Sequence, residues 1–232
     1  MQAVVIQHEE HEGLGLLEPA LREAGFTLVH RFRAAKHQDV DAALVVVMGG
    51  NMGVYEADRH PFLREELALL NERLAGDRPC LGICLGAQLM AAAAGAEVFP
   101  GKNGLEVGAG KVRWTKEALA DPVLASGRPD LLVAHWHQDT YRPVPGATLL
   151  ASTDRYVQQA FRLGRSYAFQ FHPELTAAEL GTWLDLASDE LKQQGKDAAE
   201  LKASLGKLKA SEPELRALAE RLAHHFARAA RG

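Results

Sequence analysis

Short apolar runs alternate with segments whose apolar positions recur at helical spacing through the first half of the chain. Ala3-Val4-Val5-Ile6-Gln7 reads as a strand buried on both faces of a parallel sheet. After a loop of His, Glu and Gly residues, Leu14, Leu17, Leu21 and Ala24 fall on one helical face, and Gly25 supplies the stop. Thr27 to Val29 and Ala43 to Val47 predict two more strands, and Pro61 opens a helix over Phe62 to Leu74. A further apolar stretch runs up to Gly82-Ile83 and passes directly into an alanine-rich helix. Ala96 to Phe99 then returns to strand.

The second half has a different rhythm. Leu105 to Gly108 and Lys111 to Trp114 predict a more exposed, antiparallel extension, and Leu131 to Ala134 leads into His135-Trp136-His137-Gln138-Asp139. Leu149 to Ser152 and Val157 to Arg162 are further strands, and Tyr167 to Glu174 ends the sheet. From Thr176 onward the pattern is helical. Thr176 with Glu179, Asp197 with Glu200 and Ser211 with Glu214 have capping-box spacing, with Pro213 in a first turn. Leu180, Leu184 and Leu191, then Leu215, Leu218 and Leu222, form apolar stripes. The expectation is an α/β fold: a mainly parallel sheet with helices on both faces, an added antiparallel piece and a C-terminal helical extension. Residues 1–175 would form the domain, and 176–232 would pack on it, a homodimer or partner surface being the alternative use of the stripes.

Composition narrows the function. The 232 residues carry a net charge of −4 without a basic run, which argues against nucleic acid. From Thr176 onward nine acidic residues balance nine basic ones, so a polyelectrolyte partner is a poor explanation there. No apolar run reaches membrane-spanning length, and Met1 to Ile6 lacks the basic start of a signal peptide. Two cysteines without a pairing pattern fit a reducing, cytoplasmic setting.

Chemistry concentrates at Gly82-Ile83-Cys84-Leu85-Gly86. A cysteine between two glycines at a strand-to-helix switch has the form of a nucleophile elbow, in which a sharp turn exposes the reactive atom. The helix that follows aims its free N–H groups at the sulfur, an arrangement suited to a nucleophilic thiolate. Cys84 is therefore the expected nucleophile. Cys80 reads as a strand core residue, about 13 Å from Cys84 in an extended chain and beyond disulfide reach. Met48-Gly49-Gly50 ends another strand without the Lys-Ser/Thr of a phosphate loop. Beside an elbow, the N–H groups of Gly50 and Leu85 are expected to converge on a carbonyl oxygen as an oxyanion hole. His172-Pro173-Glu174 adds a base and its orienting carboxylate, since alternate residues of an extended chain share a side.

Two histidine-rich segments invite a metal. His8, Glu9, His11 and Glu12 crowd the first loop, for which a solvated surface is the expectation. His135, His137 and Asp139 alternate as zinc ligands do, but Thr140 stands where the His-x-His-x-Asp-His pattern of metal-dependent hydrolases needs its last histidine. No metal or cofactor is expected, and the His135 to Asp139 residues line the substrate side of the cleft or pack there without a role.

With Gly82-Ile83-Cys84-Leu85-Gly86-Ala87-Gln88 and Phe169-Gln170-Phe171-His172-Pro173-Glu174 together, the chain resembles the class I (triad) glutamine amidotransferases, and among them the amidotransferase domain of GMP synthase. The resemblance spans roughly Ala3 to Glu174. It implies a flavodoxin-like fold, a Cys84–His172–Glu174 triad and an oxyanion hole at Gly50 and Leu85. It further implies that Gln88 and the segment Trp136, Gln138 and Asp139 hold the amino-acid end of glutamine, and that Glu106-Val107-Gly108 is a structural turn. The expected activity is release of ammonia from glutamine through a Cys84 γ-glutamyl thioester, with a separate synthetase accepting the ammonia. A stand-alone γ-glutamyl peptidase or hydrolase, with Trp136 shaping a larger pocket, is the first alternative. A binding or regulatory module with a silent triad is the second.

Overall fold

Alternation inside the apolar runs decides what each face of the sheet covers. The computed structural model describes residues 1–231, beginning with strand β1 (Gln2–Gln7), in which Ala3 and Val5 enter one hydrophobic core and Val4 and Ile6 another. Strand β3 (Leu44–Val47) repeats the division, with Leu44 and Val46 on the first side and Val45 and Val47 on the second. A strand buried on both faces needs helices on both, and the chain supplies them.

Helix α1 (Leu17–Glu23) lies on the first face and is followed by β2 (Thr27–Phe32). On the second face lie α2 (Phe62–Ala75) and α3 (Leu85–Ala93), with β4 (Cys80–Ile83) between them in sequence. Then come β5 (Val98–Pro100), β6 (Glu106–Trp114), α4 (Lys116–Leu119), β7 (Asp130–His137) and β8 (Asp139–Tyr141). Strands β9 (Thr148–Ser152), β10 (Ala160–Leu163) and β11 (Ser166–Phe169) complete the strands. The tail holds α5 (Ala177–Leu186), α6 (Ser188–Gln193), α7 (Ala198–Lys202) and α8 (Leu205–Ala229).

The main sheet runs β2-β1-β3-β4-β11-β10-β9-β6-β7. Pairing is parallel from β2 to β11 and antiparallel from β11 to β7, and β5 pairs with β8 in a separate ribbon. This is the expected parallel sheet with an antiparallel addition. The carboxyl ends of β3, β4 and β11 lie side by side, which is where ligands bind in open α/β sheets.

Two differences have local causes. The chain from Glu106 to Trp114 forms one strand rather than two pieces, and Glu106-Val107-Gly108 is its beginning rather than a turn. Bonding to β7 from Glu106 to Arg113 holds it extended, although Gly108 has φ +97. At Ser211 no helix starts. Leu208 and Leu215 are both buried in the first core, so packing carries α8 across Pro213, and the Ser211 hydroxyl donates to Leu132 O at 3.0 Å instead of capping. Thr176 and Glu179 do form their capping box, and Asp197 caps α7. Among the described residues, no helix is long and apolar enough to cross a membrane.

Candidate active site

The turn from β4 into α3 is as tight as its sequence demands. Cys84 sits between them with φ +53 and ψ −108, a conformation side-chain-bearing residues rarely adopt, and its N–H donates to Phe169 O at 2.8 Å. Glycine is required on both sides. A Cβ at Gly82 would come within 2.5 Å of Gly86 O, and one at Gly86 within 2.0 Å of Val47 O. The strain holds the thiol at the end of the sheet, 3.6 Å from Trp136 O.

Strand β11 runs beside β4, so the residues that follow it arrive next to the elbow. His172 N–H donates to Ala134 O at 2.9 Å, which ties this segment to β7. The His172 Nδ1 lies 2.8 Å from Glu174 Oε1, an acceptor, so Nδ1 carries the hydrogen and Nε2 faces the other way. Both side chains are 1% exposed, and His172 Nε2 makes no hydrogen bond among the described residues. Burial alone would lower the imidazole pKa, but Glu174 and the Cys84 sulfur outweigh it and hold the pKa well above its ordinary value. The three residues expected to form a triad are thus brought to one place.

The loop after β3 lies over the start of α3. A Cβ at Gly50 would come within 2.8 Å of His8 Cβ and 3.0 Å of Leu85 Cδ2. Among the described residues, neither Gly50 N–H nor Leu85 N–H donates a hydrogen bond, so both remain available for an incoming oxygen. Behind the loop, His8 Nδ1 lies 2.8 Å from Gly49 O and Nε2 lies 2.9 Å from Glu66 Oε2. Both partners are acceptors, so both ring nitrogens donate and the ring is an imidazolium. Desolvation opposes that charge, but Glu66 and Gly49 O prevail and raise the pKa.

Cys84, His172 and Gly50 open on a cavity of about 230 Å³, whose wall also includes Glu12, Trp136, Trp183 and Glu190. Trp183, from α5, stands edge-on to His172 with centroids 5.2 Å apart, and edge-on to Trp136 at 6.1 Å. Glu12 is almost wholly buried. Desolvation, reinforced by Glu174 and only partly offset by His172, pushes its carboxyl up to about 7.

The first loop is therefore not the solvated surface its composition suggests, because His8 and Glu12 turn inward under the Gly49-Gly50 loop. His8, Glu12, Glu66 and Trp183 are the residues sequence reasoning missed. For His8 the available signal was its place just after a strand whose four apolar residues, Ala3 to Ile6, are buried; for Trp183 it was a large aromatic in the first stripe of the tail.

The expected substrate contacts divide. Trp136 lines the cavity. Gln88 is buried behind the elbow, with its amide donating to Gln170 Oε1 at 3.2 Å, and Gln138 is exposed. Asp139 is half-buried beside Tyr55. His135 and His137 do not face the cleft at all. They point from β7 toward Glu106, whose Oε2 lies 3.1 Å from His137 Nε2 and 3.8 Å from His135 Nδ1. Trp136, between them, alternates to the opposite face.

Comparison with known proteins points to one family. Residues 16–184 match the family described as Glutamine amidotransferase class-I. The glutamine amidotransferase-like protein YfeJ of Salmonella typhimurium is 29% identical over 205 residues, covering 84% of this chain and 85% of that protein. The γ-glutamyl-L-1-hydroxyisopropylamide hydrolase of a Pseudomonas species is 27% identical over 159 residues, 65% of this chain and 53% of its own. One of the subunits of the glutamine-hydrolysing GMP synthase of Methanopyrus kandleri is 40% identical over 118 residues, 47% of this chain and 59% of its own. Among solved structures, a glutamine amidotransferase of Thermotoga maritima is similar with TM-score 0.86 and 31% identity, covering 98% of both chains.

Proposed function

Since the chain belongs to the class-I glutamine amidotransferase family, we propose that it hydrolyses the side-chain amide of glutamine or a related γ-glutamyl compound through a thioester on Cys84. One observation carries the reading. The Cys84 sulfur and the imidazole of His172 share one cavity, and the far nitrogen of that imidazole is held by a buried carboxylate at 2.8 Å.

In this reading the Cys84 proton rests on His172 Nε2, as the raised imidazole pKa favours, and the thiolate sulfur bonds to the γ-carbonyl carbon. The carbonyl oxygen, now negative, lies between the N–H groups of Gly50 and Leu85. Collapse of this intermediate breaks the carbon–nitrogen bond, and His172 gives its proton to the departing amine. Water, losing a proton to His172, then attacks the thioester and frees glutamate and the thiol. Glu174 keeps the ring in one tautomer and stabilises it while it is charged. The test is Cys84→Ser assayed for glutamate release: turnover should fall almost to nothing while the circular dichroism spectrum is unchanged. Unaltered turnover would end the mechanism.

The two expected destinations of the amine make different demands. Relatives named as subunits of a glutamine-hydrolysing GMP synthase support transfer of ammonia to a separate synthetase. Trp136, Trp183 and Leu186 line the cavity and give it an apolar wall, which supports a γ-glutamyl amide with a carbon substituent on nitrogen. A panel of glutamine and γ-glutamyl amides, given to the isolated chain, separates them. Faster turnover of substituted amides without any partner excludes the first.

A further inference from the structure

The far face of β7 carries a second cluster that the amide chemistry does not use. Glu106 and His137 are directly opposed across β6 and β7, and His135 lies two residues back on the same face. One ligand-capable atom from each of the three falls within 4.8 Å of the others.

Hydrogen bonding fixes which atoms face inward. His137 Nδ1 is 3.1 Å from Asp139 O, a carbonyl that can only accept, so Nδ1 carries a hydrogen, and Nε2, 3.1 Å from Glu106 Oε2, is the atom turned toward the cluster. Metal-bound histidines are held in this way, the outer nitrogen donating to a backbone carbonyl. His135 is 1% exposed, and neither of its ring nitrogens has a hydrogen-bond partner among the described residues. Its Nδ1 is aimed at Glu106 Oε2.

The surrounding amide does not resolve the cluster. Gln159 Nε2 lies 2.6 Å from Glu106 Oε2, 3.3 Å from His137 Nε2 and 3.2 Å from Thr153 Oγ1, and its amide leaves His135 without a partner. Gln159 Oε1 and both His135 nitrogens remain unpaired and buried. Native proteins seldom leave so many buried polar atoms unpartnered in one place.

We propose that Glu106, His135 and His137 form a binding site for a divalent cation of the zinc class, on the face of β7 opposite the cavity that holds Cys84. Two imidazoles and one carboxylate are a recognised zinc donor set. Neighbouring ligands of tetrahedral zinc stand about 3.4 Å apart when the bonds are about 2.1 Å. The separations of 3.1 and 3.8 Å straddle that value. An access path exists, since Glu106, His135 and Thr153 line a cavity of about 880 Å³ on this side. Gln159 Oε1, or a water from that cavity, would complete the coordination. The sequence pattern left the histidine pair incomplete because the third ligand comes from the neighbouring strand, not from Asp139.

The site would act as a pin. β7 supplies the carbonyl of Ala134 that holds His172 and the carbonyl of Trp136 that touches the Cys84 sulfur. A cation between these residues' neighbours would fix the strand that joins the two.

The test titrates the full chain, stripped with a chelator, with zinc against a chromophoric competitor and with cobalt by absorption. One equivalent should bind, the cobalt spectrum should lack a thiolate charge-transfer band, and zinc should raise the melting temperature. His135→Asn and Glu106→Gln should each weaken binding by about 100-fold or more, beyond the effect of losing an outer-shell partner. If one variant fails to fold, the other decides. Absence of stoichiometric binding, affinity unchanged in a folded variant, or a thiolate band abolished by Cys84→Ser would overturn the proposal.

Discussion

Replacing His8 by alanine should cripple turnover without touching any atom that meets the substrate. The His8 ring holds Gly49 O at 2.8 Å, and every peptide bond among the described residues is trans. In a trans peptide the N–H points opposite to the C=O, so anchoring Gly49 O behind the loop directs Gly50 N–H forward, into the cavity. A buried hydrogen bond from a charged donor contributes about 1.5–3 kcal/mol. Without it the Gly49-Gly50 peptide is free to turn, and the competent population should fall by about 10- to 150-fold, within reach of the roughly 10²–10³-fold cost of losing one oxyanion donor outright. The variant also leaves Glu66 buried without its partner, which should cost about 3–5 kcal/mol of stability. His8→Asn separates the two effects. Its side-chain N–H can occupy the place of Nδ1 and hold Gly49 O, but it cannot reach Glu66. We expect both variants to be destabilised in urea through the unpaired Glu66, His8→Ala the more, and only His8→Ala to lose kcat for glutamate release, with KM little changed. Equal kcat in the two variants would refute the orienting role.

Glu174→Gln should lower kcat by up to about 10⁴-fold, because an amide can stabilise the wrong imidazole tautomer; glutamate release from a folded variant measures it. Glu12 predicts a pH effect. Its carboxyl is pushed from 4.5 up to about 7 in the folded chain, so the unfolded chain ionises first and stability falls as pH rises between those values. The full penalty, about 3 kcal/mol, is reached above pH 7 and shrinks below about 1 kcal/mol at pH 5. Glu12→Gln should therefore be more stable than the parent at pH 8 and close to it at pH 5, by urea denaturation at both. Gly86→Ala should destabilise by about 1–3 kcal/mol, since its Cβ would meet Val47 O and prise α3 from β3.

Local rules made much of this protein readable in advance. The elbow follows from two glycines around one cysteine, and the His172–Glu174 pair from their spacing across a proline, because each is set by neighbours in the chain. The parallel core was equally legible, since doubly buried strands such as Leu44–Val47 are apolar at every position. What escaped notice depends on pairing between distant strands. Nothing near His8 announces Glu66, and nothing near His137 announces Glu106; only the register of β6 on β7 and the packing of α2 under the first loop bring them together. Pro213 misled for a related reason. Its local signal favours a helix start, and the buried Leu208–Leu215 stripe overrides it.

The central claim is that Cys84 is the nucleophile of a γ-glutamyl amide hydrolase, and a diazoketone analogue of glutamine tests it most directly. Intact-mass spectrometry should find a single adduct per chain, peptide mapping should put it on Cys84, and excess glutamine should slow its formation. Labelling of Cys80 at an equal rate, or no adduct on a folded chain that still releases glutamate, would contradict the account.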